Sequence, residues 1–469
     1  MRSRTVVVLS LVPASVIAAV AWAEGPRGAS PTAQVVLVIG DGTGWQQWGL
    51  LLAARRAAEQ EAPSAFERLA AAGTTGAMTT WASDSLVADS AAGATALACG
   101  VRTRNGVVGK DADGRSVRTC MEAAAERGLW TGIVTTTAVT DATPAAFTAH
   151  VPGRRLMPQV ADQQVRRQDL RVILGGGTQY FVPRSKPCSA AGSLGRGIPD
   201  APSARSDDDD LVAEARAKGF AVVTDRSGLL AGPAPDRLLG LFAPFDLPYA
   251  FDRDGPEEAV APSLPEMTAR ALEVLGKGPR GFFLMVEAGR VDHACHANDA
   301  GAALEEMREL DATLDLLLGE RERRRDLLVI LAADHETGGL SVASPKGEAL
   351  GSDRLGLLGT QRRSLEAVAA EAWKSAPTLA DARAAVPWLP EKAPFLTDPA
   401  VDGRGPFLGR HRAPFGDAAS GAAGVVFATD GHTATPVPVV AAGPGAERFG
   451  GIHDSTEIGA ALMDLLSGR

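Results

Sequence analysis

The feature that most constrains this chain is a set of short, apolar, β-branched runs, each stopping on a polar or glycine-rich turn. They cover residues 35–39, 132–134, 282–286 and 327–331, and each turn leads into an alanine-rich stretch of helical composition. A fifth run, 171–174, closes on Gly175-Gly176-Gly177. Strands that are apolar throughout and alternate with helices need cover on both faces. The pattern therefore predicts an α/β fold, with a large central, mostly parallel sheet sandwiched between helices. At 469 residues, 45% of them hydrophobic, the chain can bury a large core. Two stretches interrupt the alternation, residues 185–210 and 341–424, and both read as surface excursions. The second is long enough to form an inserted lobe beside a site. Asp207 to Asp210 lack the interleaved spacing of a calcium loop and read as a solvated turn before a helix at Leu211.

In open α/β sheets, ligands bind beyond the carboxyl ends of the strands. Four of these strands end in candidate ligands: Asp41 after residues 35–40, Glu287 after 282–286, Asp334-His335 after 328–333, and Asp141-Ala142-Thr143 after Thr135-Thr136-Thr137. One acid after a strand is usually a cap or turn residue. Four such ends from distant parts of the sequence predict one site. Within Glu287-Ala288-Gly289-Arg290-Val291-Asp292-His293-Ala294-Cys295-His296, Asp292 and His296 stand four apart at the start of a helix and share a face, a spacing that suits zinc. His432 could complete that set, and Asp41, Asp334 and His335 would make a second one of nitrogen and oxygen ligands. The remaining hard oxygens, from Thr143, Glu287 and a shared Asp41, suit magnesium better than zinc. His150, His411 and His453 fall outside these groups and read as structural or surface residues.

The nucleophile candidate lies in Asp89-Ser90-Ala91-Ala92-Gly93-Ala94, where Ser90 opens a helix of small residues whose free N–H groups and dipole favour a phosphate. Taken alone, such a serine reads as an N-cap. As a nucleophile it needs a base or a metal to activate it. No histidine neighbours it in sequence, so the second metal set is the candidate source.

The formal net charge of -9 leaves no basic footprint for nucleic acid, so any phosphate binding must come from local cations. Met1-Arg2-Ser3-Arg4, an apolar run over 5–20 and Ala21-Trp22-Ala23 read as a signal peptide, residues 1–23, removed after Ala23. Residues 24–469 are then expected as a single exported domain, periplasmic or extracellular, with no later membrane span. Cys99, Cys120, Cys188 and Cys295 allow three full pairings in an oxidising compartment, but a domain of this size needs no staples, and each also reads as a small buried hydrophobe.

Together these residues resemble the alkaline phosphatase family. Gly40-Asp41-Gly42, Asp89-Ser90-Ala91, Asp141-Ala142-Thr143-Pro144, residues 287–296, Asp334-His335 and Gly431-His432-Thr433 match its motifs in order, between Val35 and His432. The match is patchy over 185–264 and 341–424. The resemblance implies one zinc at Asp292, His296 and His432, a second at Asp41, Asp334 and His335, and magnesium or another metal at Asp41, Thr143 and Glu287. It assigns Arg154 to the substrate phosphate, with adjacent Arg155 as the rival by sequence, and puts Asp89, Asp141 and His293 around the ligands. His293 stands where the best-studied bacterial member has lysine, and a pair with Asp141 could alter the third metal. The implied chemistry is in-line displacement on small-molecule phosphate monoesters through a phosphoserine at Ser90. A homodimer with a crown-like lobe, residues 341–424, near the subunit interface is implied by the same analogy. The alternatives are a phosphodiesterase or sulfatase of the same superfamily, which lacks the clamping arginine, and a non-catalytic metal-containing binding protein. Arg154, Ser90 and the intact ligand set argue against all three.

Overall fold

The structure is a computed structural model that describes residues 34–167, 169–191, 201–253, 261–344, 346–367, 387–388 and 416–469. The expected leader, residues 1–23, lies outside the described residues, as do 345, 368–386 and 389–415 of the inserted stretch, His411 among them. The described strands are β1 (Gln34–Gly40), β2 (Thr74–Thr79), β3 (Trp130–Ala138), β4 (Leu170–Gly176), β5 (Ala221–Val223), β6 (Leu238–Leu241), β7 (Phe282–Ala288), β8 (Leu327–Ala332), β9 (Glu336–Thr337), β10 (Ser341–Val342), β11 (Val425–Val426), β12 (His432–Thr433), β13 (Val437–Ala442) and β14 (Gly451–Asp454). Ten of them form one sheet in the order β14-β2-β13-β8-β1-β7-β3-β4-β6-β5. β13 pairs antiparallel with β2 and β8, and every other neighbouring pair is parallel.

The five runs visible in the sequence are the contiguous centre of this sheet, β8-β1-β7-β3-β4. Along β1, side chains alternate between two cores. Val35, Leu37 and Ile39 pack with residues of the Ser90–Cys99 and Ala142–Thr148 helices, while Val36 and Val38 pack with those of the Trp45–Ala57 and Ala300–Arg323 helices. Each fully buried aliphatic side chain contributes about 1.5–3 kcal/mol, and both faces draw on it. The layers are helix, sheet, helix, as the apolar runs require.

Ser90–Cys99 departs from an amphipathic pattern because all ten of its residues are buried. Its small side chains let it lie close to the sheet on one side and to the Ser455–Ser467 helix on another. The closest approach is at Gly93, where a Cβ would come within 2.5 Å of the Asp334 carbonyl oxygen. Only glycine fits there, and the fit sets the start of this helix against the end of β8.

Two short ribbons lie beyond the sheet. β10 pairs antiparallel with β11, so the two ends of the inserted stretch are joined to each other. β9 pairs antiparallel with β12, which sets His432 opposite Thr337. Asp210 caps the Leu211–Ala217 helix, and Arg205 holds Asp207, consistent with the expected solvated turn. All four cysteines are buried, and none is joined to another in a disulfide among the described residues. Among the described residues no helix is long and apolar enough to cross a membrane.

Candidate functional site

Neighbouring strands β8, β1, β7 and β3 end side by side and deliver Asp334-His335, Asp41, Glu287 and, past β3, Asp141 and Thr143 to one edge of the sheet. Two groups of ligand atoms gather there, each with its atoms within 4.8 Å of one another: Asp292, His296 and His432, and Asp41, Asp334 and His335. The groups touch, because the rings of His335 and His432 stack with centroids 3.6 Å apart.

In the first group, the Arg290–His296 helix puts Asp292 and His296 on one face, and the β9–β12 ribbon brings in His432. His296 Nε2 lies 3.2 Å from Asp292 Oδ2 and 3.1 Å from His432 Nε2. The other ring nitrogens are occupied: His296 Nδ1 is 2.5 Å from the Asp430 carbonyl and His432 Nδ1 is 2.9 Å from the Ala88 carbonyl. Each Nδ1–H donates to a carbonyl, which leaves Nε2 free to face the centre, the usual arrangement behind a metal-binding histidine. Burial works against charge here, but Asp292 pushes His296 up to about 9. Asp292 is held well below the carboxylate range by His296, His432 and His335, against the burial that would raise it.

The second group has the opposite balance. His335 Nε2 is 3.4 Å from Asp334 Oδ2 and 3.7 Å from Asp41 Oδ1, and both oxygens are buried without a hydrogen-bond partner. Burial and the neighbouring acids Asp334, Asp292, Glu287 and Asp141 push Asp41 well up. Burial, with Asp292 and Glu287, pushes Asp334 up to about 8. His335 is driven down by burial and by His432, so it is neutral. Unpaired buried carboxylate oxygens crowded by like charge are what a divalent cation neutralises.

Thr143 and Glu287 flank Asp41. Thr143 Oγ1 donates to Asp41 Oδ2 at 3.4 Å. Glu287 Oε2 accepts from Thr135 and, at 3.2 Å, from Thr137, while burial raises Glu287 to about 7. Asp141 and His293, considered together from the sequence, each meet a different partner. Asp141 caps the Ala142–Thr148 helix and accepts from Arg154 Nη2 at 3.1 Å. His293 Nδ1 lies 2.8 Å from Arg290 Nη1 and 3.5 Å from Asp246 Oδ2.

The reading of Ser90 as a simple cap does not hold. The cap is Asp89, whose side chain accepts from Ala92 N at 3.0 Å. Ser90 Oγ is thereby left free and lies 3.2 Å from His335 Nε2. Arg154 Nη1 donates to Asp89 Oδ2 at 3.2 Å, so one carboxylate touches both the start of the Ser90 helix and the arginine. Arg155, the rival by sequence, is exposed. Of the histidines set aside, His150 pairs with Glu122 Oε1 at 3.0 Å and His453 Nε2 lies 2.8 Å from the Gly450 carbonyl, both outside the ligand groups.

Several supporting residues escaped the sequence reading. Buried Gln47 donates to Glu336 Oε1 at 2.9 Å and to the Thr337 carbonyl at 2.8 Å, and accepts from Gly44 N at 2.8 Å, which ties the turn after Asp41 to β9. Arg290 lies over the Tyr249 ring at 3.8 Å and donates to both carboxylate oxygens of Glu366. Only the run of threonines 135–137, directly after Ile133 and Val134, carried a signal for the hydroxyls around Glu287.

A family model described as alkaline phosphatase matches residues 32–381. The repressible alkaline phosphatase of Saccharomyces cerevisiae is 40% identical over 282 residues, 56% of this chain and 48% of that protein, so the match spans about half the length of that relative. Alkaline phosphatase 3 of Bacillus subtilis is 30% identical over 488 residues, 97% of this chain and 96% of its own. The crystal structure of Thermus thermophilus alkaline phosphatase is similar at a TM-score of 0.79 and 31% identity, covering 94% of this chain and 92% of that one.

Proposed function

The chain belongs to the alkaline phosphatase family, and on that premise we propose that it is an exported phosphomonoesterase with Ser90 as nucleophile and Arg154 as phosphate clamp. Two zinc ions would be held by Asp292, His296 and His432 and by Asp41, Asp334 and His335, and magnesium by Asp41, Thr143 and Glu287. The observation that carries this reading is Ser90 Oγ at 3.2 Å from His335 Nε2, beside the partnerless oxygens Asp41 Oδ1 and Asp334 Oδ2. Those donors fit a divalent cation, and the family is metal-dependent. Bound metals supply Lewis acidity, lowering the pKa of the serine hydroxyl and stabilising the departing oxygen.

The protein's own groups do the rest. Ser90 Oγ forms the new bond to phosphorus as the ester oxygen leaves, giving a phosphoserine and an alcohol. Water then breaks the Oγ–P bond, releasing phosphate and restoring the serine. Arg154 is oriented by Asp89 and Asp141, and its planar fork matches two phosphate oxygens. Of the four N–H groups that a helix start leaves unpaired, Asp89 N donates to Asn105 and Ala92 N to Asp89, so Ser90 and Ala91 remain for the phosphate.

Hydrolysis of a phosphate monoester and a diester by native, chelator-treated and Ser90→Ala protein tests the reading. The monoester is expected to be preferred, chelation to abolish turnover, zinc with magnesium to restore it, and Ser90→Ala to be inactive with unchanged metal content. A preferred diester, or full activity in Ser90→Ala, overturns it. Cleavage after Ala23, a single domain over 24–469 with the 341–424 crown-like insertion, and a homodimer belong to the same proposal. Sequencing the mature N-terminus and sedimentation test these.

A further inference from the structure

Between the Ser90 helix and Arg154 lies a tight turn that takes no part in the bond-making steps above. Val107 N donates to the Arg104 carbonyl at 3.1 Å, and Gly106, at the third position of the turn, has a φ of 82°. That is the left-handed conformation a type II turn requires, and glycine adopts it without strain.

The side-chain amide and N–H of Asn105 and the N–H and carbonyl of Gly106 all bond to neighbouring segments around the site. Asn105 Oδ1 accepts from Asp89 N at 2.8 Å, and Asn105 Nδ2 donates to the Val87 carbonyl at 3.0 Å. One side-chain amide thus grips the main chain on both sides of Ala88, whose own carbonyl receives His432 Nδ1. Asn105 N donates to Asp84 Oδ1 at 3.0 Å, which anchors the turn to the start of the same loop. Gly106 N lies 3.0 Å from each oxygen of the Asp89 carboxylate, and the Gly106 carbonyl accepts from Arg154 N at 2.7 Å. The backbone of Arg154 and the cap of the Ser90 helix are therefore joined through a single residue.

We propose that the Asn105-Gly106 turn is a positioning element that fixes the nucleophile and the phosphate-binding arginine relative to each other, with Asn105 as its positioning residue. This rests on the assignment of Ser90 and Arg154 above. Asn105 is exposed, so its removal opens no cavity in the core. It frees the Asp89 N–H and the Val87 carbonyl to water and lets the loop drift. A displacement of about 1 Å at a reacting group is worth about 10²-fold in rate.

The test assays Asn105→Ala, Gly106→Ala, Gly106→Asn and Ser90→Ala on one phosphate monoester. It also measures inorganic phosphate affinity by calorimetry and the thermal midpoint. Thr119→Ala serves as comparison, because Thr119 caps the Cys120–Glu126 helix and its hydroxyl donates to the Phe147 carbonyl rather than to a site residue. Asn105→Ala is expected to lose about 10- to 10²-fold in kcat and to weaken phosphate binding, with a midpoint no lower than that of Thr119→Ala, which keeps its kcat. Gly106→Ala should follow Asn105→Ala, and Gly106→Asn, whose side chain tolerates positive φ, should recover most of the loss. If Asn105→Ala keeps wild-type kcat and phosphate affinity while Ser90→Ala is dead, the positioning role is wrong and the nucleophile stands. If Ser90→Ala is active, the underlying assignment fails instead.

Discussion

The triad of Asp292, His296 and His432 and the triad of Asp41, Asp334 and His335 share an edge, but without a cation they are in opposite states. The first balances itself, since two histidines face one acid and His296 takes up the charge that Asp292 needs. It is also partly open, with 35% of the His296 side chain and 15% of that of His432 exposed. The second sets two acids against one neutral histidine, and the side chains of Asp334 and His335 are fully buried. Donor ratio and burial together decide which site needs its ion to be stable at all. The open triad can wait for a cation, while the buried one is strained until it holds one.

The largest test of that contrast is the loss of one imidazole. His335→Ala and His432→Ala are both expected to lower turnover by about 10²–10³-fold, but added imidazole should restore only His432→Ala, whose site is open. Equal rescue of both would erase the distinction. Next comes the pH dependence of the metal-free protein. Asp334 rises from an ordinary 3.8 to about 8, so between those values the folded chain holds a proton that the unfolded chain has released, and stability falls as pH rises through that window. His296, raised from 6.5 to about 9, acts in the same direction, since its contribution is complete below 6.5 and gone above 9. Its half-open position lets solvent screen it, so Asp334 dominates. The metal-free midpoint is expected to drop by roughly 5 °C between pH 6 and 9, while the metal-loaded midpoint holds. Parallel curves for the two forms would contradict this.

A smaller effect separates the triads by sign. In metal-free protein at pH 9, Asp334→Asn should stabilise the fold by about 1–3 kcal/mol by removing crowded charge. Asp292→Asn should destabilise it by about 1 kcal/mol, discounted because His296 is screened. Chemical denaturation of both variants checks the signs. The smallest expected effect lies at a pair remote from the ligands. Burial would raise Glu122, but His150 and the Thr119 N–H hold it at about 2. Its stabilisation is present above 4.5 and fades as pH falls towards 2. Glu122→Gln should cost about 0.5 kcal/mol at pH 6 with no change in turnover or metal content.

The sequence made the centre of the sheet legible because a strand buried on both faces must be apolar throughout. The edges follow another logic. β2 mixes three threonines with Gly76, and β5 with three residues and β14 with four are too short to show a period. β13 contains Pro438, which argues against an interior strand, yet Pro438 faces only Ala77 of β2, and β8 pairs from Val440 onward. At the site, the ligand candidates were legible because each acid or histidine ends a readable strand or opens a helix. Gln47, Arg290 and Asn105 were not, because their partners lie elsewhere in the chain and only folding brings them together. The cap moved from Ser90 to Asp89 for a related reason. Both residue types cap helices, and the choice depends on which backbone N–H the folded loop presents.

The β9–β12 ribbon has a consequence for the order in which the site is built. Asp41, Asp334 and His335 are all present once β8 and β9 have been synthesised, but His432 arrives on β12, after the whole inserted stretch. A chain that stops within that stretch carries every donor of the buried triad and lacks one of the open triad. Premature termination there would remove β12 together with β13, β14 and the Ser455–Ser467 helix, so the open triad could not be completed and the sheet beside β8 would be left unpaired.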